Sequence, residues 1–155
     1  MNKILITGGA GFIGSNFVRT LVQDGRYSIV VLDALTYAGT LTSIEPILDD
    51  NCQFVHGDIA DRTLVEHLFE NHNFDYVINF AAESHVDRSI TDPDVFIRSN
   101  VVGVQVLLEA SRKHRVTKYL QVSTDEVYGS LEETGFFTEE TTLDPSSPYS
   151  ASKAS

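Results

Sequence analysis

The sequence of 155 residues is long enough to bury the core of one domain, and its 22 acidic against 11 basic side chains give a formal net charge of −11. This charge argues against nucleic acid or an anionic membrane surface as a partner, because the one basic run, Arg112 to Arg115, is short and ends a predicted helix. The lone Cys52 excludes an internal disulfide and a thiolate metal cluster, and no signal-peptide pattern or run of about 18 apolar residues is visible, so we expect a cytoplasmic protein without a metal site.

The first two dozen residues predict a strand, a glycine-rich turn and a helix. Lys3 to Thr7 is a short apolar run typical of a buried strand, and the helical period that follows ends at Asp24, before Gly25. Glycines at such a turn permit positive φ and let a pyrophosphate approach bare backbone, while the helix N-terminus supplies unpaired N–H donors. A purely steric turn is the alternative. Gly9, Gly11 and Gly14 fit G-x-G-x-x-G, and Gly8, Gly11 and Gly14 fit the overlapping G-x-x-G-x-x-G.

A second apolar run, Ser28 to Leu32, predicts the next strand, and Asp33 follows it immediately. This acidic residue lies about 20 residues beyond the glycines, as a dinucleotide fingerprint requires. Its carboxylate would accept both ribose hydroxyls of an adenosine and would repel a 2′-phosphate, which favours NAD over NADP. An aspartate that caps the next turn is the alternative.

The middle of the chain continues with a short helix over Ser43 to Asp50 and a third strand over Gln53 to His56. Gly57, Asp58 and Ile59 follow that strand, where an adenine edge would lie. Asp58 or Asp61 capping the next helix is the competing interpretation, and the apolar face of that helix is formed by Leu64, Val65, Leu68 and Phe69.

The fourth strand, Tyr76 to Phe80, runs into small residues, as expected where a ligand approaches the carboxyl edge of an open α/β sheet. His85, a few residues on, is either a solvated loop side chain or a substrate contact. A helix from Asp92 and Pro93 to about Arg115 and a fifth strand over Lys118 to Val122 complete the alternation. Gly103 inside the helix indicates close packing against the sheet.

This alternation of strands and helices predicts an α/β fold: a doubly wound parallel sheet of the Rossmann type with right-handed crossovers. We expect residues 1–155 to form one dinucleotide-binding domain.

The residues after the fifth strand are those suited to chemistry. Ser123 to Gly129 precedes a long stretch without periodicity, and Pro148 then starts a helix that places Tyr149 and Lys153 four residues apart on one face. An ammonium one helical turn away, together with a positively charged nicotinamide, lowers the pKa of a phenol from about 10 toward neutrality. A solvated helix face is the alternative, as is a capping box formed by Ser123 and Glu126.

Three strings of the sequence carry a resemblance to a known family. With TGGAGFIG at the start, YSASK at the end and Ser123 or Thr124 after the fifth strand, the chain resembles the extended short-chain dehydrogenase/reductases. The strings AAESHVDRS, STDEVYG and SPYSASKAS are similar, more narrowly, to the dTDP-glucose 4,6-dehydratases, and this likeness extends from Lys3 to Ser155.

The resemblance implies a three-stage reaction on a nucleotide sugar. Tyr149, assisted by Lys153 and Thr124, would deprotonate the 4-hydroxyl while hydride passes from C4 to NAD. Glu126 would then remove the C5 proton and Asp125, as a neutral acid, would protonate the departing 6-hydroxyl before the hydride returns to C6. Adjacent carboxyls suit this task because their repulsion in a dry pocket separates their pKa values.

The same resemblance implies the cofactor and substrate contacts and a homodimer acting in deoxysugar biosynthesis such as that of rhamnose. The implied NAD contacts are Gly8, Gly11, Phe12, Ile13, Gly14, Asp33, Ala34, Leu35, Thr36, Asp58, Ile59, Phe80, Ala81, Ala82, Glu83, Ser84, Ser99, Tyr149 and Lys153, and the implied substrate contacts are Ser84 and Thr124.

The family pattern continues beyond position 155, so we expect a fragment that lacks the last strands and the nucleotide-sugar domain, binds NAD weakly and does not turn over. Two other functions stay open. A nucleotide-sugar 4-epimerase or decarboxylase would share Tyr149 and Lys153 without needing Asp125 and Glu126. A non-catalytic NAD-binding sensor would need none of these four side chains.

Overall fold

A computed structural model describes residues 1–131 and 134–155. The chain divides into two compact units, the first formed by residues 1–81 and 102–122 and the second by residues 82–101 and 123–155. The described helices are α1 Phe12–Asp24, α2 Arg62–Asn71, α3 Val86–Thr91, α4 Pro93–Phe96, α5 Val104–Lys113 and α6 Pro148–Ala154, and a π-helical stretch, Ile97–Gly103, joins α4 to α5.

The first unit contains a five-stranded parallel sheet with the order β3-β2-β1-β4-β5. Each strand was predicted within a residue or two of its observed bounds, which confirms the α/β alternation. The strands are β1 Asn2–Thr7, β2 Tyr27–Asp33, β3 Cys52–His56, β4 Tyr76–Asn79 and β5 Lys118–Gln121.

Apolar side chains cover both faces of this sheet because alternate residues of the central strands point to opposite sides. Leu5 packs with residues of α2 and α5 on one face, whereas Ile4 and Ile6 pack on the other with Val18 of α1. Cys52 belongs to the second cluster, and burial raises the pKa of its thiol to about 11. The sheet is therefore doubly wound, and Cys52 behaves as a small buried hydrophobe of its core.

Three local predictions are wrong in detail. Ser43 to Asp50 is not an α-helix: two 3₁₀ turns, Leu41–Ser43 and Glu45–Ile47, occupy this region. The helix predicted from Pro93 runs without a break to Lys113, but its stretch Ile97–Gly103 is π-helical instead of α-helical. A Cβ on Gly103 would lie 2.5 Å from the Ile59 side chain. The missing side chain at Gly103 therefore allows close packing against the loop after β3 and not against the sheet.

The second unit is helical and positions the C-terminal residues. Helix α6 contacts α3, α4 and a 3₁₀ turn, Asp125–Tyr128. Ser147 starts α6 with a reciprocal capping box, because its hydroxyl accepts the Ser150 N–H while the Ser150 hydroxyl accepts the Ser147 N–H. Helix α3 was missing from the sequence prediction. Among the described helices, none has the length and hydropathy needed to cross a bilayer.

Helices α2 and α5 are joined by a charged contact that predicts a pH dependence of stability. Glu66 accepts a hydrogen bond from Lys113 and lies 2.9 Å from Nε2 of His114. Both contacts lower the pKa of Glu66 from its ordinary value, and the hydrogen bond from Lys113 has the larger effect. A carboxyl whose pKa is depressed by folding stabilises the protein above its unfolded pKa and loses that contribution as the pH falls through the folded pKa.

Glu66→Gln should therefore flatten the fall in unfolding free energy between roughly pH 5 and pH 3. Urea denaturation at a series of pH values measures this slope. The exposed Glu45→Gln is the matched control and should follow the wild type. An unchanged slope in Glu66→Gln would contradict the assignment.

Candidate functional site

The glycine-rich turn of the first unit is packed too tightly for side chains. Gly8 has φ +69°, and a Cβ there would lie 2.5 Å from the backbone nitrogen of Ala81. A Cβ on Gly14 would lie 2.2 Å from the carbonyl oxygen of Gly8. The turn thus brings β1, the start of α1 and the end of β4 into direct backbone contact, and only glycine fits at both positions.

The N-terminus of α1 exposes its donors. Gly11 is the N-cap and, within the described residues, no side chain accepts a hydrogen bond from the first turn. Phe12 and Ile13, which open the helix, are 85% and 64% exposed. Unpaired N–H groups at the positive end of a helix dipole attract anionic groups such as a pyrophosphate.

Asp33 makes the turn-capping bond that the sequence offered as the alternative to ribose binding. The residue is 8% exposed. Its Oδ1 accepts the Leu35 N–H at 2.8 Å, which is the turn-capping bond, and its Oδ2 accepts the Ala10 N–H at 2.9 Å. A carboxylate has about four lone-pair sites, so hydroxyl acceptance remains available. Ribose binding by Asp33 stays a prediction.

The segment after β3 is organised by two aspartates. Asp58 Oδ1 accepts the Ala60 N–H at 2.8 Å, whereas Asp61 is the N-cap of α2 and accepts the N–H groups of Thr63 and Leu64 at 3.0 Å. Asp61 rather than Asp58 therefore caps the helix. The adjacent Ile59 is buried in the core, which leaves its backbone rather than its side chain for an adenine contact.

A polar chain absent from the sequence analysis crosses the carboxyl ends of three strands. The Thr7 hydroxyl donates to Asn79 Oδ1, and Asn79 Nδ2 donates at 2.8 Å to Gln121 Oε1, which also accepts the Tyr119 hydroxyl. Asn79 Oδ1 accepts the Ala81 N–H at 3.1 Å as well. Polar residues that end apolar strands, Thr7 on β1, Asn79 on β4 and Gln121 on β5, were the sequence signal that could have identified this network.

In the second unit, Asn100 holds the segment that follows Ala81. Its side chain accepts the Glu83 N–H and donates to the Glu83 carbonyl, both at 2.9 Å, and it donates to Ser152 Oγ at 2.9 Å. The Ser152 hydroxyl donates in turn to the carbonyl of Tyr149 at 2.7 Å. One buried amide therefore connects the Glu83 backbone to the turn of α6 that carries Tyr149.

The Glu83 side chain is nearly buried, and burial raises its pKa while Arg88, with Nη1 3.7 Å from the carboxylate, opposes the shift. Ser84, implied to contact both cofactor and substrate, is exposed directly after it, and Ser99 is half-buried in the π-helical stretch. These two roles stay predictions.

The carboxyl pair lies on the 3₁₀ turn after β5. Thr124, not Ser123, is the N-cap: its Oγ1 accepts the Glu126 N–H at 3.3 Å and donates to Asp125 Oδ1 at 3.3 Å. The predicted capping box between Ser123 and Glu126 is therefore wrong. Asp125 is exposed and Glu126 is half-buried, so the two acids have different surroundings.

Tyr149 and Lys153 occupy successive turns of α6. Tyr149 is 8% exposed, with its ring edge-on to Phe96 at 6.4 Å between centroids. Burial lowers the pKa of Lys153. Since the turn with Asp125 and Glu126 contacts α6, one unit contains both the tyrosine–lysine pair and the two acids.

Comparison with known proteins finds one matching family model and several similar proteins. A family model described as GDP-mannose 4,6 dehydratase matches residues 5–155. The dTDP-glucose 4,6-dehydratase of Xanthomonas campestris pv. campestris is 55% identical over 97% of this chain and 45% of its own length.

Two solved structures are similar in fold. The dTDP-glucose 4,6-dehydratase of Streptomyces venezuelae with NAD bound superposes with a TM-score of 0.91 at 47% identity, covering 98% of this chain and 48% of that one. The UDP-glucose 4-epimerase of Thermus thermophilus in complex with NAD gives 0.89 at 35% identity, covering 98% and 47%. The chain spans about half the length of these relatives.

Proposed function

The chain belongs to the family described as GDP-mannose 4,6 dehydratase, and from this premise we propose that it binds NAD and acts in the 4,6-dehydration of dTDP-glucose. The reaction removes the 4-hydroxyl proton and the C4 hydride, eliminates water across C5 and C6, and then returns the hydride to C6 and a proton to C5. The product is dTDP-4-keto-6-deoxyglucose. The relatives that support this substrate are dehydratases named for it.

The first unit fits the adenosine and pyrophosphate half of NAD. The uncapped start of α1 supplies N–H donors for the phosphates, and Gly8 and Gly14, which have no room for a Cβ, form the tight turn that leads into this helix end. Asp33 would accept the ribose hydroxyls with the lone pairs that its two backbone bonds leave, and the other predicted contacts of this unit are Gly11, Phe12, Ile13, Ala34, Leu35, Thr36, Asp58, Ile59, Phe80 and Ala81.

The second unit carries the groups that move protons. Tyr149 removes the proton of the 4-hydroxyl, Lys153 stabilises the phenolate, and Thr124 assists once its hydroxyl turns from Asp125 Oδ1 to the 4-oxygen of the sugar. NAD, when bound, accepts the hydride from C4 and returns it to C6. The burial of Lys153 supports this assignment, because an ammonium in a dry setting acts strongly on a neighbouring phenol.

Elimination needs a base and an acid at neighbouring carbons. Glu126 removes the C5 proton, which the adjacent ketone acidifies, and Asp125 protonates the 6-hydroxyl so that it leaves as water. The single observation that carries the proposal is that these acids and the Tyr149–Lys153 pair lie on contacting elements of one unit. Ala82, Glu83, Ser84 and Ser99 are the further cofactor contacts proposed there, with Ser84 also at the substrate.

A 4-epimerase is the second candidate, favoured by the similarity to the Thermus enzyme. Epimerisation needs Tyr149 and Lys153 but no acid or base at C5 and C6. Replacing Asp125 with Asn and Glu126 with Gln together should abolish the 4-keto-6-deoxy product, by at least about 10²-fold, while leaving C4 oxidation detectable as NADH formation. The exposed pair Glu139→Gln and Glu140→Gln is the matched control.

The assay incubates dTDP-glucose and NAD with this chain and with the longest form that its gene encodes, and follows the 4-keto-6-deoxy product by mass. UDP-galactose formation from UDP-glucose would instead support the epimerase. Turnover by this chain alone would contradict the expectation that it lacks activity. We further propose a cytoplasmic homodimer that serves deoxysugar biosynthesis, such as that of rhamnose.

A further inference from the structure

We propose that Asp33 is a positioning residue that builds the dinucleotide site of the first unit before any cofactor binds, by fixing the glycine-rich turn and the segment 34–40 to each other. The inference deepens the proposed NAD binding and rests on it. It departs from the role implied by the family resemblance, in which Asp33 contributes only through the ribose.

The carboxylate of Asp33 joins two stretches of backbone that are distant in sequence. Oδ2 accepts the N–H of Ala10, inside the glycine-rich turn and 23 residues earlier, and Oδ1 accepts the N–H of Leu35. Ala10 is bonded a second time to the same segment, since its carbonyl accepts the Thr40 N–H at 3.1 Å. The peptide groups of Ala10 are therefore bonded on both sides to Asp33 and the residues that follow it.

The segment 34–40 needs this support because its conformation is unusual. Leu35 has φ +50°, in the left-handed region that leucine rarely adopts. The bond from its N–H to Oδ1 closes an Asx turn over residues 33–35, which fixes the peptide group that precedes this unusual conformation. A Cβ on Gly39 would lie 2.7 Å from Oδ1, so the segment returns directly past the carboxylate and passes there without a side chain.

The bonds from Ala10 and Leu35 require that both side-chain oxygens of residue 33 act as hydrogen-bond acceptors. The two N–H groups converge on a side chain that is 8% exposed, where an unpaired donor finds little water. An amide in the same place has one acceptor and one donor, so asparagine would leave either Ala10 or Leu35 facing an N–H group. Residue 33 must therefore supply two acceptor oxygens, whether the 2′ position of the ribose carries a hydroxyl or a phosphate.

The two roles of Asp33 predict opposite results for NADPH. If Asp33 acted only through the ribose, by accepting its hydroxyls and repelling a 2′-phosphate, then Asp33→Asn would weaken NADH binding and tighten NADPH binding. If Asp33 builds the turn and the segment 34–40, then Asp33→Asn weakens NADH binding at least about tenfold and does not tighten NADPH binding. Fluorescence titration of the chain with each reduced dinucleotide measures both constants.

Amide hydrogen exchange tests the same role without cofactor. In the free wild-type chain the Ala10 and Leu35 amides should be protected, and in Asp33→Asn they should exchange at least about tenfold faster. The Gly8 amide, which donates to the Leu32 carbonyl at 2.9 Å, is the internal reference and should not change. The exposed Asp50→Asn removes the same charge elsewhere and should match the wild type.

Leu35→Gly added to Asp33→Asn should recover part of the lost NADH affinity, since glycine adopts positive φ unaided.

Unprotected Ala10 and Leu35 amides in the wild type, or tighter NADPH binding by Asp33→Asn, would overturn the proposal. The wild-type exchange decides the matter even if Asp33→Asn does not fold. If the wild type binds neither dinucleotide, the proposed function fails, while the exchange rates still decide whether Asp33 holds the turn.

Discussion

Gly14→Ala is expected to cost about 3 kcal/mol or more of unfolding free energy and to abolish NADH binding. The new Cβ would lie 2.2 Å from the Gly8 carbonyl oxygen and 2.9 Å from both the Gly8 carbonyl carbon and the Gly9 Cα. All three are backbone atoms, so no side chain can rotate away and the turn itself must move. A displaced turn no longer presents the N-terminus of α1 to a pyrophosphate.

The matched control is Gly25→Ala, at the other end of the same helix. Gly25 has positive φ, +70°, but nothing lies within 4 Å of its added Cβ. The expected cost is only the backbone strain, about 1 kcal/mol, with NADH affinity unchanged. Urea denaturation and dinucleotide titration of both variants measure the difference. Equal losses in the two variants would show that the contact at Gly14 is unimportant.

The parts of the fold that depend on local pattern were predictable from the sequence. Strands β1 and β2 are uninterrupted apolar runs because both faces of a parallel sheet are covered, and such runs are distinctive. The glycines of the turn were equally informative, since positive φ at Gly8 and the lack of room at Gly14 are requirements that few other residues meet.

Elements that depend on tertiary contact were not predictable in this way. Helix α3 has six residues and no strong period, and its one fully buried residue is the polar Ser89. The π-helical stretch contains Asn100, whose amide bonds the Glu83 backbone 17 positions away. Neither feature leaves a local signature, because the partners that stabilise it are remote in sequence.

The candidate site shows the same division. The position of Asp33 at the end of β2 was predicted, but its bond to Ala10 was not, since that bond depends on how the turn and the segment 34–40 meet in space. At the other end of the chain, a Ser-x-x-Glu pattern suggested a cap at Ser123, whereas the structure starts the turn one residue later at Thr124. Motifs located these regions, and packing decided the bonds within them.

Tyr149→Phe is expected to lower turnover of dTDP-glucose by about 10²–10⁴-fold in the longest form of the protein, because the proposed reaction begins with proton transfer to this phenol. The aromatic ring is retained, so its edge-on packing against Phe96 should persist. NADH affinity should change less than about threefold, which separates lost chemistry from lost folding. Tyr76→Phe is the control and should keep full activity, because this tyrosine lies on β4 and its hydroxyl accepts a long bond from Asn2 at 3.3 Å.

The outcome distinguishes the classes of function. Loss of both C4 oxidation and product in Tyr149→Phe supports an enzyme that starts at C4, whether dehydratase or epimerase. Unchanged turnover would remove Tyr149 as the proton acceptor, whereas NADH binding without turnover in both the wild type and Tyr149→Phe would favour an NAD-binding sensor, for which the phenol has no task. Because Lys153 lies one turn along α6 with its pKa lowered by burial, Lys153→Met should reproduce the loss if the ammonium supports the phenolate. A Lys153→Met enzyme with normal turnover would leave Tyr149 without its proposed partner.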